Sequence, residues 1–396
     1  MIDKKTIQEN ADKIFPKQIE WRRHLHQNPE LSNEEFKTTT FIKSILNKYK
    51  IEYSDFTMET GLVGFINKAK KPAVAVRTDI DALPIIEHTD LPFKSKNIGV
   101  MHACGHDVHM AVVLGTAVLL NNFKDKIPGS IKFLFQPAEE SPPGGAERLI
   151  KAGVMKSPDV KMIFGLHVDP TLPTGEISLR DGPTMASVID VDIVILGQGG
   201  HAAIPHRAID AIVVASEVVE SLQKVISRET NPLSPVLLTF GSIEGGTARN
   251  IIADKVTLKG TARTLSKENI KLLPRLIKRT VAGICRARGA KYELNILSSY
   301  PVLDNHSSAN KILRACYEEL YGSKKIQITL PTMGGEDFSF YLEKSSGAMF
   351  RLGVKNIKIG ADKSWHAHDF IADEQSIRFG TELLSMAVIR YWEENQ

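Results

Sequence analysis

The stretch PAVAVRTD (Pro72–Asp79) runs five apolar residues into a polar end. SIKFLFQPAEE (Ser130–Glu140) and KMIFGLHV (Lys161–Val168) repeat the design, each an apolar run that closes on carboxylates or a histidine. Near-continuous apolar strands belong to sheets buried on both faces, and those sheets are largely parallel. Between them, VHMAVVLGTAVLLNNF and AERLIKAG (Ala146–Gly153) read as helices. Strand and helix in alternation predict an α/β domain around a mostly parallel sheet with helices on both faces. IQITL and GAMFRLGV extend the same rhythm late in the chain.

The middle of the chain reads differently. VIDVDIVILG (Val188–Gly197) is a strand, and AIDAIVVASEVVESLQKVIS (Ala208–Ser227) is an amphipathic helix with Ile209, Val213, Leu222 and Ile226 on or near one stripe. PVLLTFGSI, KVTLKGTART, a helix from about Lys267 to Arg288 and KYELNILSS follow. That order, β-α-β-β-α-β, is a ferredoxin-like split unit. The expectation is an inserted α+β lid or dimerisation domain over residues 187–299. The catalytic domain is then discontinuous, over residues 1–186 and 300–396. An exposed sheet edge on the insert would suit a homodimer or a higher homo-oligomer.

At 396 residues the chain exceeds one ordinary core. Its 50 basic and 46 acidic residues are interspersed, leaving a net charge of +4 and no electrostatic reason to expect nucleic acid or membrane as partner. Cys104, Cys285 and Cys316 are too scattered for a disulfide framework. The charged start MIDKKTIQENADKIF lacks the apolar run of a signal peptide, and no window is long and apolar enough to span a bilayer. A cytoplasmic protein with a small-molecule partner is expected.

Chemistry gathers where strands finish. Ligands of open α/β sheets bind outside the carboxyl ends of the strands. Asp79 and Asp81, Cys104 and His106 in MHACGHD, Glu139 and Glu140 in PAEE, and His167 all stand at such places. In extended backbone, residues two apart face the same way, so Cys104 and His106 can reach one ion, the cysteine as thiolate. The competing readings are a buried free cysteine among polar turn residues and a Cys–His nucleophilic pair. Adjacent carboxylates point apart, so one glutamate can ligate while the other moves protons; the plain alternative is a solvated acidic turn. SWHAHDF (Ser364–Phe370) adds His366 and His368, either able to complete the set. Thiolate, imidazoles and carboxylate together suit Zn²⁺, Mn²⁺, Co²⁺ or Ni²⁺ better than Mg²⁺ or Ca²⁺.

RRHLHQNPEL, RTDIDALP, MHACGHDVH, FQPAEE, GLHV, GQGGHAAIPH, GGTARNII and MGGEDFS follow one another from about Trp21 to Glu374. This series resembles the metallopeptidase-like N-acyl-amino-acid amidohydrolases, the family of hippurate hydrolases, N-acetyldiaminopimelate deacetylases and auxin-conjugate amidohydrolases. The resemblance implies hydrolysis of the amide bond of N-acyl amino acids with two divalent ions per chain, manganese first and zinc, cobalt or nickel as alternatives. It implies Cys104 as the bridging ligand, His106, Glu140, His167 and His366 as the others, and Glu139 as the general base that holds no metal. His366, Phe370 and Glu374 match the family spacing, whereas His368 stands where the family usually has proline. Asp107 is implied as support for His106, with His24, His26, Asp79 and Asp81 structural and Glu336 walling the pocket. In the insert, His201 is implied as a catalytic contact to the oxyanion or substrate carboxylate, with Asn250 and Arg263 binding substrate. Rivals are a dipeptidase on the same fold, a metal-free amidase with Cys104 as nucleophile, and an inactive scaffold.

Overall fold

A computed structural model describes residues 2–56 and 58–395. They form two compact units. The first comprises Met1–Gly182, Asp304–Leu330 and Asp337–Gln396, the second Pro183–Leu303 and Pro331–Glu336.

Among the described residues, the first unit carries an eight-stranded sheet. Its spatial order is Glu52–Ser54, Leu62–Ile66, Ser130–Gln136, Ala73–Asp79, Val160–Pro173, Ser346–Lys355, Ile177–Ser178, Ile326–Gln327. Ala73–Asp79 lies parallel to both its neighbours, and Val160–Pro173 pairs parallel with Ser346–Lys355. Towards one edge, Leu62–Ile66 pairs antiparallel with Ser130–Gln136 and with Glu52–Ser54. The sheet is therefore mixed around a parallel centre; towards the other edge Ile177–Ser178 pairs antiparallel with Ser346–Lys355 and parallel with Ile326–Gln327. Every residue of Ala73–Asp79 and of Ser130–Gln136 is buried, which explains their unbroken apolar runs. IQITL yields only the two-residue strand Ile326–Gln327.

The helix His106–Asn121 is buried almost throughout and apolar on all sides, as a helix packed between other elements must be. It packs against the helices Lys4–Gln27 and Ser376–Glu394. Gly115 allows close approach, since a Cβ there would sit 1.9 Å from the Gln18 amide nitrogen. That amide instead donates to the Ala111 carbonyl and to the Thr381 hydroxyl.

The second unit has a four-stranded antiparallel sheet in the order Val236–Gly245, Lys255–Thr264, Ser187–Leu196, Lys291–Tyr300. With the helices Ala211–Glu229 and Lys267–Arg288, this is the ferredoxin-like arrangement. Ile189, Val191, Ile193 and Ile195 alternate into its core. The Asp210 carboxylate caps the first helix by accepting from the Ile212 and Val213 amides. Ser266 caps the second, and Gly289 ends it at φ +69°.

Candidate active site

Cys104 and His106 do converge, but not on extended backbone. His102–Gly105 is a turn, and Gly105 at φ +82° leads into the helix that begins at His106. Glycine is required twice over, for the left-handed backbone and because a Cβ would lie 2.5 Å from a Val168 methyl. His167 lies two residues beyond Gly165, the last residue of its strand to pair with Ala73–Asp79. Cys104 Sγ and His167 Nε2 are 3.4 Å apart.

The imidazoles are preset by their far nitrogens. His106 Nδ1 donates to the Asp81 carbonyl at 2.9 Å, and His167 Nδ1 to the Val168 carbonyl at 2.8 Å. Both therefore turn Nε2 inward. His106 Nε2 is fully buried without a hydrogen-bond partner, as is Glu140 Oε1, 3.9 Å away. Two orphaned buried atoms of complementary charge preference, beside a thiol paired with a second imidazole, are what a divalent cation would satisfy.

Glu140 Oε1 also lies 3.5 Å from His366 Nε2. His366 is a non-glycine residue at φ +63°, its amide held by the Ala103 carbonyl at 2.9 Å. His368 does not join this group; its ring lies against that of His88, with centroids 4.8 Å apart. Ligand atoms of Cys104, His106 and His167 lie within 4.8 Å of one another, as do those of Cys104, Glu140 and His366, and those of His106, Glu139 and Glu140. Cys104 is shared by the first two groups. All six residues belong to the first unit.

Electrostatics follow from burial amid acids. Burial pushes the Cys104 thiol well above its usual range, and Glu140, Glu139 and Asp79 push it further. Burial works against a charged His106, yet Asp79, Asp81 and Glu140 outweigh it and raise the group to about 10. Burial, with Arg351 and His109, holds His167 well below the ordinary histidine value. A cysteine nucleophile needs a lowered pKa, so this setting weighs against Cys104 attacking substrate by itself.

Asp79 accepts from His109 Nδ1 at 2.7 Å and from Arg77 at 2.8 Å. Asp107 forms an ion pair with Arg22 at 2.7 Å and accepts from His26 Nδ1 at 2.8 Å, an ionic cluster that anchors the first turn of the His106 helix. His24 stacks on Phe41 instead. Two residues given no role from sequence do support the site. His109 Nε2 accepts from the Val168 amide, and Trp365 donates its indole N–H to the Val168 carbonyl. One peptide segment thereby links His167, His109 and the loop of His366. The spacing His106-x-x-His109, one turn along a helix face, was the available signal for the first.

His201, Asn250 and Arg263 lie in the second unit, and Glu336 is grouped with it too. His201 and Asn250, both exposed, line an open hollow of about 760 Å³ together with Gly246 and Thr247. Arg263 does not line that hollow; it is half-buried on the strand Lys255–Thr264. No helix among the described residues is long and apolar enough to cross a membrane.

An α/β unit that collects thiol, imidazole and carboxylate groups at the carboxyl ends of its strands, in one chain with a ferredoxin-like unit, has the form of a two-domain metallohydrolase. The chain belongs to peptidase family M20/M25/M40, whose model matches residues 75–390. It is 38% identical over 388 residues to an N-acetylcysteine deacetylase of Bacillus subtilis, covering 96% of this chain and 98% of that protein. It is 41% identical over 308 residues to an N-acyl-L-amino acid amidohydrolase of Geobacillus stearothermophilus, covering 78% and 83%. Among solved structures it is similar to a dinuclear metal-binding peptidase of the M20 family from Bacillus subtilis. There the TM-score is 0.84 at 33% identity, with 96% and 99% of the two chains covered.

Proposed function

We propose that this chain hydrolyses the amide bond of N-acyl amino acids. The observation that carries the reading is the inward, unpartnered Nε2 of His106 beside Cys104, His167, Glu140 and His366, with Glu139 at the rim of the same cluster. Cys104, His106, Glu140, His167 and His366 would hold two divalent ions, Cys104 serving both. When bound, such ions would polarise the scissile carbonyl and make an attacking water acidic enough to ionise near neutral pH.

Glu139 takes the proton from the attacking water and passes it to the departing amine, so one carboxylate serves as base and then acid. Glu140, one residue on, is held by its backbone amide on Asp81 Oδ2 at 3.0 Å, which leaves its carboxylate to the ligand group. His201 Nδ1 accepts from the Ala203 amide at 3.1 Å, so the proton sits on the exposed Nε2. An imidazole N–H donor of that kind suits a developing oxyanion. Asn250 and Arg263 carry the donors that a substrate carboxylate needs.

The test is amine release from a panel of N-acyl amino acids and dipeptides, run as isolated, after chelation, and after adding back Mn²⁺, Zn²⁺, Co²⁺ or Ni²⁺. Activity on N-acyl amino acids that is lost on chelation and restored by an ion is expected. Full activity after rigorous chelation would overturn the metal reading, and turnover of dipeptides alone would make the enzyme a dipeptidase. His366→Ala should lose one ion per chain and most turnover, whereas His368→Ala should keep both ions. Metal analysis of the two purified variants separates them, and the reverse result would transfer the ligand role to His368.

A further inference from the structure

Ala138 stands between the strand Ser130–Gln136 and the glutamate pair, and its backbone is left-handed at φ +52°. A residue with a Cβ avoids that region unless its surroundings hold it there. The holding group comes from far away in the chain. Glu35 Oε1 accepts from the Ala138 amide at 2.8 Å, and Glu35 Oε2 accepts from the Thr60 hydroxyl at 2.7 Å. Glu35 and Ala138 are both fully buried. Nearby glycines close the turn from the other side. A Cβ on Gly61 would meet Pro137 at 2.6 Å, and one on Gly145 would meet the Pro137 carbonyl at 1.9 Å.

Two residues on, the Glu140 amide hangs on Asp81, which also accepts from the Ser32 hydroxyl at 2.7 Å. The turn is thus suspended from two buried carboxylates, one gripping the residue before Glu139 and the other the residue after it. Glu35 and Asp81 are close enough that, after burial, Asp81 is the next cause raising the Glu35 pKa. Placing two like charges in a dry interior is costly, and the backbone they grip is the one that aims the glutamate pair.

We propose that Glu35 is a positioning residue for catalysis: by holding Ala138 left-handed it directs Glu139 toward the reacting centre while Glu140 faces the ligand group. This rests on the reading of Glu139 as general base. Glu35 touches no substrate and acts only through the turn.

The experiment compares Glu35→Gln, Glu35→Met, and Glu35→Met with Ala138→Gly, measuring kcat, KM, metal content and melting temperature. Gln keeps an acceptor for the Ala138 amide and should lose less than about fivefold in kcat. Met fills the volume without an acceptor; kcat should fall about 10- to 100-fold, the scale of a small misplacement of a catalytic group, at unchanged KM and metal content. Glycine adopts a positive φ without strain, so Ala138→Gly in the Met background should restore about fivefold or more of kcat. A fall in melting temperature with kcat intact would make Glu35 merely structural, and failure of the glycine to restore turnover would equally overturn the proposal. Should Glu35→Met not fold, Thr60→Val removes the donor that orients Glu35; it should lower kcat at constant KM, and wild-type kcat there would overturn the role. Glu139→Gln is the control: if that variant is active the general-base reading fails, whereas an inactive Glu139→Gln with a fully active Glu35→Met sinks the positioning role alone.

Discussion

Glu139→Gln is expected to keep its fold and its metal but lose turnover by about 10²- to 10⁴-fold, the usual contribution of a positioned general base. That loss corresponds to about 3–5 kcal/mol in the barrier. The reason lies in the division of labour within PAEE. Glu140 Oε1 faces His106 and His366, whereas Glu139 is grouped with His106 and Glu140 but not with Cys104 or His366. Glutamine preserves shape and polarity and so should not disturb the ligands, yet its amide cannot accept the proton of a water. The measurement is kcat against metal content in the same preparation. A drop in both would move Glu139 into the ligand set, and normal kcat would remove it from the mechanism. The same variant separates the rival chemistry, since a Cys104 nucleophile would not depend on Glu139.

The parts of this molecule legible in the sequence are those fixed by local pattern. Ser266 and Gly289 bracket a helix whose bounds, Lys267–Arg288, coincide with its pattern of apolar residues. The buried strands were visible because burial on both faces leaves no polar alternation to confuse. The candidate site was legible as residue types at strand ends, but its geometry was not. Extended backbone would have put Cys104 and His106 on one face, whereas a left-handed Gly105 at a helix start does so. His109, Trp365 and Glu35 were silent because their work is done by bonds to partners 59, 197 and 103 residues away. A single sequence shows neither such pairings nor why Ala138 tolerates its backbone. It could show that His366 and His368 compete, and only the fold puts one beside Glu140 and the other against His88.

Metal uptake should depend steeply on pH, with the apparent affinity rising as pH rises. Without an ion, Cys104 is a thiol, because burial and three neighbouring carboxylates push its ionisation well above the usual range. His106 is an imidazolium up to about pH 10, since Asp79, Asp81 and Glu140 outweigh its burial. His167, held well below the ordinary histidine value, is already neutral and contributes no proton. An ion must therefore displace one proton from Cys104 and one from His106. Below about pH 10 both protons are present in the free protein, so the logarithm of the affinity should climb with a slope of about 2 per pH unit, steepening at lower pH where His366, its pKa raised by the Glu140 carboxylate, also carries a proton to be displaced. Above that value His106 has already released its proton and the slope should drop towards about 1. Cys104→Ser should bind far more weakly, with a slope of about 1 below about pH 10 that falls towards zero above it, because only the imidazolium proton remains to be displaced. Equilibrium dialysis against buffered Mn²⁺ or Zn²⁺ at several pH values, paired with proton release on mixing, measures both quantities. A slope near zero in the wild-type protein would mean that neither Cys104 nor His106 meets the ion, and the carboxylates that charge His106 would then need another purpose.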